Sequence, residues 1–252
     1  MPEPDYTPLE PQPLGADVPE PNPVLYRLLR RVLIGPALHG LGRPFADGLE
    51  HVPSTGGVII ASNHLAVVDS FYLALMVKRP ICYLAKREYF EATGVRGAMA
   101  RWVMNNINQI PVHRTDGAQA GEALQAAAEL VRSGRAWGVY PEGTRSPDGR
   151  LYRGRTGVAR VAAMTGAPVV PVAMINTRAA NPPGSRMVRP VRVGMRFGEP
   201  LHFTQGGPAH PPTKAELRAF TDKVMASLRE LGGQEYTDEY APRSEHRRGT
   251  FK

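Results

Sequence analysis

Two side chains that could move a proton, His64 and Asp69, follow the apolar run at residues 57–62. A histidine can accept a proton from a hydroxyl at neutral pH, and a carboxylate on its other ring nitrogen fixes the tautomer and stabilises the imidazolium. The spacing suits a loop in which His64 follows a strand and Asp69 begins a helix. We therefore expect a general base that activates a hydroxyl for attack. In the alternative interpretation, Asp69 is the N-cap of a helix starting at Ser70, and one aspartate can serve both roles.

A second polar cluster lies at residues 140–146, after another apolar run. Gly143 permits positive φ, so that backbone amides can point into a cleft. Arg145 can bind a phosphate with two hydrogen bonds, and Thr144 can add a hydroxyl donor. Glu142 could orient Arg145 or bind a substrate hydroxyl. The alternative is an exposed turn whose Glu–Arg pair contributes less than ~1 kcal/mol.

Other basic residues are candidates for the same site. Lys86, Arg87 and Arg114 lie at the ends of predicted strands, and Arg153 and Arg155 flank Gly154. Because the carboxyl ends of parallel strands meet at one edge of a sheet, several of these cations would converge on a phosphate pocket. The alternative for each of these residues, considered individually, is an ordinary solvated charge on the surface.

Alternating apolar runs and amphipathic segments predict the elements that position these residues. We expect strands near 57–62, 81–85, 108–113, 136–140, 168–174 and 190–198. We expect helices near 70–78, 94–105, 117–133, 155–165 and 214–231, the last beginning with a capping box of Thr213 and Glu216. The pattern indicates an α/β fold: a single domain with a mostly parallel or mixed central sheet flanked by helices.

The chain divides into four predicted regions. Residues 1–22, with seven prolines, form a disordered acidic leader. Residues 23–43 form a short N-terminal amphipathic helical hairpin, interrupted at Gly35, whose second helix runs through Leu41. This hairpin either lies in a lipid headgroup layer or packs on the domain with its arginines solvated. Residues 45–233 form the main domain, and residues 234–252 form a flexible charged tail.

The charge balance restricts the class of partner. The net charge is +8, but residues 1–24 hold five acids and no Lys or Arg, which leaves +13 for the remainder. Such an excess favours an anionic membrane surface or a phosphorylated substrate, whereas nucleic-acid signatures are absent. We find no apolar stretch long enough to span a membrane and no secretory signal, and therefore expect a cytoplasmic body. The sequence has no motif that requires a metal or redox cofactor, and no G-x-S-x-G elbow for a serine acyl-enzyme.

Four sequence blocks resemble the motifs of the glycerolipid acyltransferases, most closely the bacterial 1-acylglycerol-3-phosphate O-acyltransferases. In chain order they read NHLAVVDS at residues 63–70, IPVHR at 110–114, YPEGTRS at 140–146 and VPV at 170–172. The resemblance covers roughly residues 45–205. The first and third blocks are highly specific in this order and spacing, and the second and fourth are weaker.

The resemblance implies the roles that the site residues would play. His64 would deprotonate the hydroxyl of lysophosphatidic acid, with Asp69 orienting it, and that hydroxyl would attack the thioester of acyl-CoA or acyl-carrier protein directly. The acceptor site would be formed by Arg114, Glu142, Gly143, Thr144, Arg145 and Arg155. The N-terminal helices would seat the enzyme peripherally on the cytoplasmic side of the cell membrane. Two alternatives remain: the same chemistry on another lysophospholipid, glycolipid or amino-lipid acceptor, and a membrane-binding module without catalytic activity.

Overall fold

The computed structural model describes residues 32, 35–86, 109–112, 117–185, 187–204 and 211–242. Its α-helices there are α1 Gly35–Gly42, α2 Asp69–Met76, α3 Gly117–Arg132, α4 Gly157–Thr165, α5 Thr177–Ala180 and α6 Lys214–Gly232. Its strands there are β1 Phe45–Asp47, β2 Val58–Ser62, β3 Ile81–Lys86, β4 Gln109–Val112, β5 Ala136–Val139, β6 Leu151–Tyr152, β7 Val169–Ile175, β8 Gly194–Phe197 and β9 Tyr236–Thr237.

Within these residues, one sheet of seven strands has the order β1-β8-β7-β2-β5-β3-β4. The five strands from β7 to β4 are parallel, whereas β8 runs antiparallel to β7 and carries β1 parallel on its outer side. β6 and β9 form a separate parallel pair. The predicted α/β fold with a mostly parallel central sheet is confirmed. Since β2 and β5 are neighbours, the segments that follow them emerge side by side at one sheet edge.

Helices bury both faces of this sheet, as a parallel sheet requires. Alternate residues of β2 enter opposite cores: Ile59 packs in the core that α3, α4 and α6 cover, and Ile60 packs in the core that α2 covers. All five residues of β2 are buried. This two-sided burial explains why the strand is a continuous apolar run rather than an alternating pattern, and it holds the strand end rigidly.

Most predicted elements coincide with observed ones. β2, β3, β4, β5 and β7 lie within a residue or two of their predicted ranges, as do α2, α3, α4 and α6. The capping box at Thr213 and Glu216 is present, with both reciprocal hydrogen bonds. α1 agrees with the second, shorter helix of the predicted hairpin. The rest of the hairpin and the helix expected at 94–105 lie outside the described residues.

Two predictions need correction. The strand expected at 190–198 is only β8, Gly194–Phe197. The loose tail expected from residue 234 is wrong for residues 234–242, because β9 pairs with β6 and Ala241 is buried. Backbone bonds extend this contact, with Leu151 N–H donating to the Glu235 carbonyl at 2.8 Å. The tail therefore belongs to the domain at least as far as residue 242.

Within the part of the chain that the structure describes, no helix has the length and apolar character that crossing a bilayer requires.

Candidate active site

His64, in the short loop between β2 and α2, contacts Asp69 at the start of α2. The Nδ1 atom of His64 lies 2.9 Å from Oδ2 of Asp69. The same oxygen accepts hydrogen bonds from the backbone N–H groups of Leu65 at 2.7 Å and Ala66 at 2.8 Å. These three donors hold the carboxylate in one orientation. In the neutral tautomer that donates Nδ1–H to the Asp69 carboxylate, the free lone pair is on Nε2, which can accept a proton.

The alternative that Asp69 only caps a helix is wrong. α2 begins at Asp69 itself, Val68 occupies the N-cap position, and no side-chain cap is formed. The Asp69 side chain instead binds amides upstream of the helix. It is fully buried, and its Oδ1 has no hydrogen-bond partner among the described residues. A buried carboxylate aimed at a histidine fits the orienting acid of a catalytic pair.

The segment at residues 140–146 fixes the backbone of His64 from both sides. The His64 N–H donates to Oε1 of Glu142 at 2.9 Å, and the His64 carbonyl accepts from the Ser146 N–H at 2.8 Å. The side chain of His64 is 18% exposed and stacks against Tyr140. The two sequence clusters therefore form one site, in which the second cluster holds the histidine supplied by the first.

Glu142 is fully buried and uses both carboxylate oxygens on backbone amides. Its Oε2 accepts from the Tyr152 N–H at 2.9 Å, opposite the bond from His64 to Oε1. Burial raises the pKa of Glu142 to about 7, although the two backbone donors lower it and Asp69 raises it further. In this geometry Glu142 joins β6 to His64, two residues past the end of β2. Its predicted contact with an acceptor lipid stays a prediction.

The turn after Glu142 presents the remaining predicted groups. Gly143 has φ 79°, and a Cβ there would lie 2.9 Å from Nε of Arg155. Arg155 donates its backbone N–H to the Pro141 carbonyl at 2.7 Å, so it packs along this turn. Thr144 is half-buried and Arg145 is exposed. Among the described residues, Arg145 has no hydrogen-bond or ion-pair partner.

Tyr240, on the segment that follows β9, lies beneath two arginines. The Arg153 and Arg155 guanidinium carbons are 5.4 and 5.2 Å from its ring centroid. Arg153 also pairs with Asp238 at 3.5 Å, whereas Arg155 has no carboxylate partner in the described part of the chain. Of the two, Arg155 is therefore the arginine whose charge no described carboxylate offsets. Arg114, the other arginine predicted for the acceptor site, lies outside the described residues.

Three contributors to the site were not assigned roles from the sequence: Tyr140, Ser70 and Asn63. Asn63 is fully buried; its side chain accepts from the Met174 N–H at 2.7 Å and donates to Gln234. It thereby connects the end of β2 to β7 and to the C-terminal segment. Asn63 and Ser70 lie inside the first motif block, and Tyr140 begins the third. Membership of these blocks was the one feature of the sequence that could have pointed to them as site residues.

The described residues contain no group of three or more His, Cys, Asp or Glu side chains placed to hold a metal ion.

A model of the Acyltransferase family matches residues 43–175, more than half of the chain. The chain belongs to the acyltransferase family. This acyltransferase is 33% identical over 140 residues to the chloroplast 1-acyl-sn-glycerol-3-phosphate acyltransferase BAT2 of Brassica napus, covering 55% of this chain and 39% of that protein. It is 31% identical over 130 residues to a 1-acyl-sn-glycerol-3-phosphate acyltransferase of Borreliella burgdorferi, covering 52% and 50%.

This acyltransferase also shares its fold with a solved structure. The crystal structure of the 1-acyl-sn-glycerophosphate (LPA) acyltransferase PlsC from Thermotoga maritima matches with a TM-score of 0.61 at 25% identity, covering 82% of this chain and 79% of that one. The chain spans half the length or less of the two curated relatives named above. The family match contains His64, Asp69 and Glu142, whereas α6 and β9 lie beyond it.

Proposed function

We propose that this acyltransferase moves a fatty acyl group from acyl-CoA or acyl-carrier protein to the sn-2 hydroxyl of 1-acylglycerol-3-phosphate, giving phosphatidic acid. The observation that carries the proposal is the His64–Asp69 pair, in which a buried carboxylate binds Nδ1 and leaves Nε2 as the proton acceptor. The relatives suggest the acceptor, because each is named for 1-acyl-sn-glycerol-3-phosphate.

The proposed reaction is a direct transfer. Nε2 of His64 takes the proton of the acceptor hydroxyl as its oxygen attacks the thioester carbonyl carbon, and Asp69 stabilises the imidazolium. The tetrahedral intermediate collapses with cleavage of the C–S bond, and the imidazolium returns the proton to the leaving thiolate. Ester and free thiol are the products. The sole cysteine, Cys82, is buried and its pKa is raised to about 11, which argues against a cysteine acyl-enzyme.

Arg145 and Arg155 are the proposed ligands of the acceptor phosphate, with Arg114 and the Thr144 hydroxyl assisting. Both Arg145 and Arg155 are exposed, and no carboxylate neutralises either within the described residues. Each guanidinium can bind a phosphate through two parallel hydrogen bonds. Gly143 contributes indirectly, because its lack of a side chain leaves the space that Arg155 occupies. No metal or redox cofactor is needed for this acyl transfer.

The first test follows thiol release from oleoyl-CoA, with lysophosphatidic acid as acceptor, for wild type and His64→Ala. We expect acceptor-dependent release and phosphatidic acid from wild type alone. A His64→Ala variant that keeps a near-normal rate contradicts the general-base role. Wild-type turnover with another lysophospholipid, a glycolipid or an amino lipid, and none with lysophosphatidic acid, would replace the proposed acceptor. A folded wild type inactive with every donor and acceptor would instead support the membrane-binding module.

The second test separates the phosphate site from the general effect of removing positive charge. Arg145→Ala should raise the KM for lysophosphatidic acid more than the KM for the acyl donor. Arg160→Ala is the matched control, because Arg160 is an exposed arginine on α4. If the donor KM rises instead, Arg145 binds the acyl donor.

We also propose that the protein binds the cytoplasmic face of the cell membrane peripherally through residues 23–43. The support is the +13 excess of residues 25–252 together with the predicted amphipathic helix and its arginines. Changing Arg27, Arg30 and Arg31 together to Glu should weaken sedimentation of the full chain with phosphatidylglycerol vesicles. Arg160→Glu, a charge reversal outside residues 23–43, is the control. Sedimentation of the triple variant equal to that of wild type would contradict this proposal.

A further inference from the structure

The Tyr140 ring covers one face of the His64 imidazole. The two ring centroids are 3.8 Å apart and the ring planes differ by 11°. Tyr140 directly follows β5, and His64 lies two residues beyond the end of the neighbouring strand β2. The parallel pairing of these strands therefore sets the distance between the rings. A flat stack at this separation restricts rotation of the imidazole, which must keep Nδ1 on Asp69.

Tyr140 is itself held at both ends. Its hydroxyl lies 2.7 Å from the Ser70 hydroxyl in the first turn of α2. Its ring also lies near the Tyr83 ring of β3, with ring centroids 6.0 Å apart and planes at 14°. Burial, reinforced by Tyr83 and Asp69, raises the pKa of Tyr140 well above its ordinary value. The phenol therefore stays neutral throughout the working pH range, and its ring keeps an electron-rich face toward His64.

The stack changes in strength during the proposed reaction. A neutral imidazole on a phenol makes a modest aromatic contact, whereas an imidazolium on the same face gains a cation–π attraction. An interaction that strengthens only after proton uptake lowers the barrier, because it favours the transition state over the ground state. In the described residues, the ionisable groups that contact His64 are Asp69 and Tyr140 at the ring and Glu142 at the backbone N–H.

We propose that Tyr140 is a positioning residue for the base: its ring fixes the plane of the His64 imidazole and stabilises the imidazolium formed during acyl transfer, while Ser70 anchors its hydroxyl. This inference rests on the proposed function. It gives the third motif a task beyond the acceptor site, because residues 140–146 then hold His64 by its ring face, its N–H and its carbonyl.

The decisive experiment alters the electron density of the ring at constant shape. Tyr140→Phe is compared with trifluorophenylalanine incorporated at position 140, and kcat/KM is measured across pH. Fluorination weakens attraction for a cation, so the imidazolium is stabilised less and forms only at lower pH. We expect the acid limb of the fluorinated variant to lie at lower pH than that of Tyr140→Phe, by up to about 0.4–0.7 unit. The substrate phosphate titrates identically in both assays, and Glu142 contacts His64 at its backbone N–H in both variants.

A second measurement tests the anchor. Ser70→Ala and Tyr140→Phe each remove one partner of the same hydrogen bond, so the double variant should reduce kcat no further than either single variant. All three should keep the KM for lysophosphatidic acid. Additive losses would show that Ser70 and Tyr140 act independently and would overturn the anchoring role.

The outcomes separate this inference from the proposed function. Coincident pH profiles for the phenylalanine and fluorinated variants, with activity still abolished by His64→Ala, would refute the role of the Tyr140 ring and leave general-base transfer intact. Full activity in His64→Ala would refute the proposed function and the inference with it. An acid limb shifted to lower pH in the fluorinated variant, together with non-additive effects of Ser70→Ala and Tyr140→Phe, supports both the inference and the proposed function.

Discussion

Replacing Glu142 by glutamine should change how the stability of this acyltransferase depends on pH. The carboxyl is fully buried, and burial raises its pKa from 4.5 to about 7. The folded protein therefore holds this proton more tightly than the unfolded chain does. The stabilising effect of protonation is fully present below about pH 4.5, and it is lost as the pH rises through about 7.

The magnitude follows from the interval between the two pKa values. At ~1.36 kcal/mol per unit, an interval of about 2.5 units corresponds to about 3 kcal/mol. Glutamine cannot titrate, so it removes this dependence. It also has one acceptor oxygen for two backbone N–H groups, which adds a pH-independent loss of about 1–3 kcal/mol. Relative to the variant, the wild type should thus lose about 3 kcal/mol of unfolding free energy between pH 4.5 and 7.5.

The assay is equilibrium urea unfolding, followed by tryptophan fluorescence at several pH values in that interval. Glu230→Gln is the control, because it removes a carboxylate from an exposed position on α6. The informative quantity is the slope of unfolding free energy against pH, compared between wild type and Glu142→Gln. These two proteins share every other titrating group, so a difference in slope comes from Glu142. Parallel curves for wild type and Glu142→Gln would refute the inference that Glu142 is a desolvated carboxyl that binds a proton in the folded state.

Three further predictions test the site and the core. Asp69→Asn should lower kcat by at least tenfold in the thiol-release assay while leaving the acceptor KM near normal; an unchanged kcat would exclude the orienting role. Gly143→Ala should lose about 1–2 kcal/mol from its positive φ and also raise the acceptor KM, because the methyl group collides with Arg155. Gly166→Ala is its control, with φ 67° and open space at the Cβ position, and should show the stability loss in a thermal melt without the KM change. Cys82, whose pKa burial raises to about 11, should react with Ellman's reagent only in urea; rapid reaction of the native protein would contradict its burial.

The main strands and helices could be predicted because their signals are local. β2 and β7 are apolar runs that both sheet faces bury, and α6 carries its own capping box. The contact between His64 and Asp69 is also local, since five residues across a strand–helix loop bring the two side chains together. The strands β1, β6 and β9 were not predicted, because two or three residues are too few to show a periodic pattern of apolar residues.

The sequence by itself determined the α/β class, the pairing of His64 with Asp69, and the family that the motifs resemble. Tertiary structure alone decided the strand order that places Tyr140 on His64, the burial of Glu142 between two backbone amides, and the return of β9 to β6. The contacts of His64 with Tyr140 and with Glu142, and the pairing of β6 with β9, join residues about 75 to 85 positions apart. Local propensity carries no information about contacts at such separations. Those contacts depend on how whole helices and strands pack to bury their apolar faces.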